Sequence, residues 1–176
     1  MAGDKVYTTF LKRQLEDGMR LASESDILEL IPAPGDPPDR YAAVFHCKGL
    51  VKDRDGTIRE ADTFAAQIWF PPEYLRRAEP AQIITWLGPA NIFHPNVRPP
   101  FVCAGPLPPG TTLAELLDQL HRIITYNKYN MADNGLNAEA SVWARRNMDR
   151  FPIDGRPLKR RRLDIRVRVT GKAATP

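Results

Sequence analysis

Residues 41–70 read YAAVFHCKGLVKDRDGTIREADTFAAQIWF, and this stretch decides the class of fold. Residues 41–51 are rich in β-formers. The run KDRDG at 52–56 ends in an Asp-Gly pair, the chemistry of a tight hairpin turn. Residues 63–70 are again β-forming, and Pro71-Pro72 then removes two amide donors and ends the strand. Strands joined by turns this short, with no helix between them, pair antiparallel.

The pattern extends in both directions. Residues 27–32 read as a preceding strand, followed by a Pro/Gly/Asp turn at 34–38, and residues 81–87 (AQIITWL) read as a further strand. Upstream, residues 6–22 form an amphipathic helix with Tyr7, Phe10, Leu11, Leu15 and Met19 at helical spacing. Gly18 weakens its last turn, and Thr8 or Thr9 is a cap for a later start. Downstream, Thr111 or Thr112 caps a run in which Leu113, Leu116, Leu117, Leu120, Ile123 and Ile124 keep helical spacing. A polar loop, NKYNMADNG at 127–135, leads to another helix near 137–148. The expected fold is α+β: an N-terminal helix, a four-stranded antiparallel meander, a loop carrying Cys103, then C-terminal helices.

At 176 residues and 43% hydrophobic content the chain has material for one core. It has no run of about 18 apolar residues that would make a membrane helix, and no secretory pattern at 1–10. The expected compartment is cytoplasmic, with Cys47 and Cys103 as reduced thiols. Those cysteines and the three histidines (His46, His94, His121) lack the spacing of a zinc site, so neither metal nor cofactor is expected. The net charge of +4 is uneven. Residues 145–172 hold eleven Lys/Arg against three Asp/Glu, which leaves the rest of the chain acidic.

The chemistry concentrates in FHPNVRPPFVC at 93–103, which sets a carboxamide and a thiol seven residues apart on one irregular stretch. A thiol carries an acyl group as a thioester, and an amide N–H steadies the oxyanion that forms when an amine attacks it. Cys103 is the carrier on this reading, with Ala104 and the surrounding Pro and Gly leaving it accessible. The plain alternative is a buried structural cysteine. For Asn96, the oxyanion donor and a brace for the loop backbone are read side by side. His94 is read as structural, its imidazole bonding to backbone, and Pro95 as fixing the turn. Tyr74 is expected under the loop, Trp69 and Trp86 in the core, and Cys47 as a core thiol.

These elements and residues together resemble the ubiquitin-conjugating enzymes. FPPEYLRRAEP at 70–80, FHPNV at 93–97, Cys103 and LNAEASVWARR at 136–146 are similar to that family's motifs, over residues 5–150. The resemblance implies that Cys103 accepts a ubiquitin-like protein from an activating enzyme and passes it to an amine on a target protein. It implies that Asp133 or Asn134 orients the incoming amine. It also implies that Lys5, Lys12 and Arg13 form a docking face for the activating enzyme, where the plain reading is a solvated helix face. AGPLPPG at 104–110 is shorter than the family's usual segment and lacks its acidic and Trp residues. This resembles a divergent, bacterial member, of the kind found beside ubiquitin-like proteins and in some cases tied to antiviral defence.

Residues 151–176 read as a basic C-terminal extension beyond a catalytic domain at 1–150. LKRRRLDIRVRV at 158–169 alternates Leu163, Ile165, Val167 and Val169 with Asp164, Arg166 and Arg168, the period of a strand. Lys159-Arg160-Arg161-Arg162 has no interleaved aromatics for base stacking, which disfavours nucleic acid and favours strand addition to a partner, an assembly through this strand. Two further readings stay open: an inactive variant of the same fold acting as an interaction scaffold, and a basic-tail nucleic-acid-binding protein.

Overall fold

The computed structural model describes residues 4–130 and 135–160. Asp133, Asn134, Arg161, Arg162 and the alternating stretch from Leu163 onward lie outside them.

Helix α1 (Lys5–Ser23) starts one turn earlier than Thr8 or Thr9 would allow, because Asp4 caps it. The Asp4 carboxylate accepts the amides of Val6 and Tyr7 at 3.0 and 3.4 Å. Its buried positions are Leu11, Gln14 and Gly18, while Met19 is 42% exposed. This corrects the apolar spacing at Met19 alone, since Tyr7, Phe10 and Leu15 pack against the core with Leu11. Gln14 is buried because its Oε1 accepts the amide of Leu113 at 2.8 Å. Gly18 is buried because a Cβ there would lie 2.6 Å from Leu113 Cδ2 and 3.0 Å from Leu30 Cδ2.

The chain then makes β1 (Leu28–Pro32), β2 (Arg40–Phe45), β3 (Gly49–Lys52), β4 (Ile58–Ala61) and β5 (Phe64–Trp69). A single helical turn, α2 (Pro80–Ile83), leads into β6 (Ile84–Gly88), and a small hairpin follows, β7 (Val97–Arg98) with β8 (Phe101–Val102). Six strands form one antiparallel sheet in the order β1-β2-β5-β6-β8-β7, and β3 and β4 form a separate hairpin. The meander expected from sequence is thus β1-β2-β5-β6, extended by the β7–β8 hairpin.

Two strand readings are corrected. Residues 41–51 are not one strand: the chain leaves the sheet at His46-Cys47-Lys48 and re-enters a different sheet as β3. The β-forming composition is continuous there, but Cys47 is fully buried and the main chain of Lys48 is taken by the Asp154 carboxylate at 2.8 Å. Residues 80–83 are helical because Pro80 sits at the first helical position, where its missing N–H costs nothing.

Alternation along the strands splits the sheet into two faces. Leu28, Leu30, Tyr41, Ala43, Phe45, Phe64, Ala66, Ile68, Ile84 and Trp86 point inward and are buried with Leu11 and the leucines of α3 (Leu113–Ile124). The α3 N-terminus is closed by a reciprocal Thr112–Glu115 capping box. Trp69 faces outward, partly exposed, bonded to Asp39 at 3.1 Å and covered by the Arg40 guanidinium. It is not a core residue as sequence suggested, because it occupies the opposite parity to Ile68.

A second, smaller core joins Leu50 of β3, Phe93, Tyr126 and the Ala140 and Ala144 face of α4 (Ala138–Arg146). Residues 151–160, grouped by sequence with the basic extension, pack on this body. Phe151 stacks on Tyr126 at 4.6 Å, Leu158 is 6% exposed, and the Asp154 carboxylate is held by Lys48 N and Arg156. No helix among the described residues is long and apolar enough to cross a membrane.

Candidate active site around Cys103

The segment before the site hangs on β3. Lys52 N donates to Asn91 O at 2.9 Å and Phe93 N to Leu50 O at 2.8 Å. The chain then turns tightly at His94-Pro95-Asn96, with Val97 N donating to His94 O at 3.1 Å. Inside the turn, Asn96 N donates to His94 Nδ1 at 2.9 Å. Nδ1 is therefore the unprotonated nitrogen, and the imidazole serves as an acceptor for its own loop. Burial pushes the His94 pKa down to about 3, offset only in part by the nearby main chain of Lys128. A ring this strongly held neutral accepts no proton at physiological pH, so His94 orders the turn and is not a base.

Asn96 and Cys103 are bound to each other twice. Cys103 N donates to Asn96 O at 2.8 Å, and Asn96 Nδ2 donates to Cys103 O at 2.9 Å. The Asn96 Oδ1 accepts from Asn130 N at 2.8 Å. The carboxamide is 6% exposed and fastens the cysteine's own carbonyl to the loop that follows α3. That bond uses one of the two hydrogens the carboxamide carries.

Cys103 itself is exposed and unpaired to Cys47, which is fully buried. Burial, with the Asp154 charge adding to it, pushes the Cys47 thiol up to about 12. The two thiols are thus opposite in access, and only Cys103 meets solvent.

The stretch after Cys103 is held from below. Lys128 Nζ donates to Ala104 O at 2.5 Å, so the carbonyls of residues 103 and 104 are both taken by side chains, one amide and one ammonium. Gly105 then turns the chain at φ +88°, where a side chain would be strained. Leu107 is buried, and the loop ends at Thr111, whose carbonyl accepts the Tyr74 hydroxyl at 2.6 Å. Tyr74 is fully buried between Phe10 and Phe70, and burial raises its pKa to about 12. It anchors the far end of the loop as a neutral hydroxyl.

Tyr126 supports the turn from the other side. Its ring lies 4.4 Å from the His94 ring, and its hydroxyl donates to Phe93 O. It is the one non-glycine with positive φ among the described residues, at 60°, which is uncommon for a bulky side chain and is maintained by packing against Phe151 and Trp143. Pro95 closes the arrangement: its carbonyl accepts Asn137 N at 3.2 Å, and Asn137 caps α4 through Ala140 N at 3.1 Å.

Cys103, Asn96, His94, Pro95 and Tyr74 therefore belong to one assembly. Lys5, Lys12 and Arg13 are exposed on α1. Tyr126, Lys128 and Asn130 belong to the site but were not singled out in the sequence. Their signal was the polar NKYN run directly after a long amphipathic helix, a place where loop residues carry function. No protein-family model and no curated protein matches the chain.

Proposed function

We propose that this protein is a conjugating enzyme of the ubiquitin-conjugating type. Cys103 accepts the C-terminal carbonyl of a ubiquitin-like protein from the cysteine of an activating enzyme. The new thioester forms as the activating enzyme's thiolate leaves, an exchange that is nearly isoenergetic. An amine on a target protein then attacks the thioester carbonyl, forms an amide, and releases the Cys103 thiolate.

The observation that carries this reading is an exposed thiol whose loop is bound twice to a buried asparagine. The thiol is presented while its backbone is rigid, as a group that must meet two large protein partners in turn requires. The α+β order of elements and the motif residues read from sequence agree with it. In this reaction the second amide hydrogen of Asn96 steadies the oxyanion.

The test uses the cognate ubiquitin-like protein, activating enzyme and ATP, followed by a non-reducing gel. The expected result is a DTT-sensitive adduct lost in Cys103→Ala and kept in Cys47→Ala. Absence of the adduct with a competent activating enzyme overturns the reading. It would leave the scaffold alternative, in which Asn96 only braces the loop through Cys103 O and Asn130 N.

A further inference from the structure

Lys128 touches the cysteine loop both before and after the thiol. Its N–H donates to Arg122 O at 2.9 Å, which fixes its main chain to the last turn of α3. That main chain lies beside the His94 imidazole, in the turn that precedes Cys103. Its side chain reaches the segment that follows Cys103, where Nζ donates to Ala104 O at 2.5 Å. Two positions further on, Asn130 N donates to Asn96 Oδ1 at 2.8 Å. Residues 128–130 are thus one element tied to residues 94, 96 and 104, and the thiol stands between those ties.

The tie to Ala104 is of a strong kind. Lys128 is half-buried, and drawing a cation part-way out of water has a cost that hydrogen bonds must offset. Among the described residues its ammonium meets only neutral acceptors, Ala104 O and, at 3.5 Å, Gln119 Oε1 of α3. A bond with one charged partner is roughly twice as strong as a neutral one. Ala104 is 1% exposed, whereas Cys103 beside it is open to solvent. Gly105 then reverses the chain at φ +88°, and a Cβ there would lie 3.7 Å from Nζ, an ordinary contact. Glycine at 105 therefore serves the backbone conformation, and the chain reverses where the ammonium takes hold.

We propose that Lys128 is a positioning residue for acyl transfer at Cys103, acting through the Ala104 carbonyl. This assignment rests on the function proposed above. Asn96 fastens the carbonyl of the cysteine itself, and Lys128 fastens the next one. Two successive peptide groups are held by side chains from either side of the thiol in the sequence. The thioester then keeps one place while the target amine approaches. Releasing one tie lets it drift from the line of attack, and a misplacement of about 1 Å costs on the order of 10²-fold in rate.

The test compares Lys128→Met and Lys128→Arg with the parent. Met keeps an apolar stem without the donor, and Arg keeps the charge and the donors. Residue-resolved hydrogen exchange follows the Cys103 amide, which is bonded to Asn96 O. It is expected to exchange about tenfold faster in Lys128→Met, with the amides of β2 and β5 unchanged as the control for folding. Discharge of a preformed thioester to free lysine is measured over a series of lysine concentrations. Lys128→Met is expected to lose about tenfold in maximal rate with the half-saturating concentration unchanged, and Lys128→Arg to return to within about threefold of the parent. Discharge by Lys128→Met within about twofold of the parent overturns the proposal, and so does an equal loss in Lys128→Arg or an unchanged Cys103 amide. A parent protein that forms no thioester sinks the proposed function instead, and the exchange measurement alone then decides whether Lys128 holds the loop.

Discussion

The carboxamide of Asn96 holds the carbonyl of Cys103 at 2.9 Å, while the carbonyl of Asn96 holds the amide of Cys103 at 2.8 Å. A residue two positions past a fully buried histidine and an exposed thiol are thereby locked into one unit. Bracing and chemistry are not competing roles here, because a donor can act on an oxyanion only if its own position relative to Sγ is fixed. On the proposed function, Asn96→Ala and Asn96→Asp should each slow discharge of a preformed thioester to free lysine by about 10²-fold. Single-turnover discharge measures this. A rate within twofold of the parent in both would remove Asn96 from the chemistry.

Access to solvent divides the two cysteines, so their reactivity should divide as well. Native protein treated with iodoacetamide near neutral pH should gain one adduct, on Cys103. Cys47, fully buried with its pKa pushed up to about 12, should react only after unfolding. Peptide mass spectrometry reads the site directly and needs no partner protein.

Burial of His94 has a consequence for stability. Its pKa is about 3 in the folded protein against an ordinary 6.5, so the unfolded chain binds the proton more readily between those values. Stability is therefore full above about pH 6.5 and falls as the pH drops toward 3, by about 1.4 kcal/mol per unit for this group. His121, also lowered chiefly by burial, adds in the same direction. Asp154, whose carboxylate is held by Arg156 and Lys48 well below its usual range, adds a loss only at pH below about 4. Urea denaturation at a series of pH values should show the slope between pH 6 and 4. His94→Asn, with an oxygen in place of Nδ1, should reduce it by about one proton.

The Asp154 carboxylate closes the packing of residues 151–160. It is 5% exposed and accepts from Lys48 N at 2.8 Å, Arg156 N at 2.9 Å and the Arg156 guanidinium. Asp154→Ala strands the Lys48 and Arg156 amides and should cost about 2–3 kcal/mol in urea denaturation. Arg156→Ala, on the exposed side of the pair, should cost less, and a larger loss from Arg156 than from Asp154 would contradict this account.

Helices α1 and α3 were legible to within a few residues, because their spacing and capping chemistry are local. The same holds for the turn at Asp53–Gly56 and for the loop character around Cys103, although that turn joins β3 to β4, a strand not read from sequence, and not to residues 63–70. The break at His46-Cys47-Lys48 was not legible, since β-forming composition runs straight through it and the interruption comes from Asp154, more than a hundred residues away. Nor was the placement of Trp69 on the outer face, which depends on strand parity and not on hydrophobicity. Gly18 read as a weak point of a helix, and in the fold it is where α1 comes closest to Leu113 and Leu30.

Local order alone was enough to establish an α+β chain with a cysteine and an asparagine on one irregular loop, because helix periodicity, turn chemistry and proline act over a few residues. It could not say how that loop is held. Asn130 and Lys128 arrive from beyond α3, Tyr74 from beyond β5, and Pro95 receives the start of α4. Each is a bond between segments far apart in the chain, and such bonds exist only once the cores behind the loop have formed.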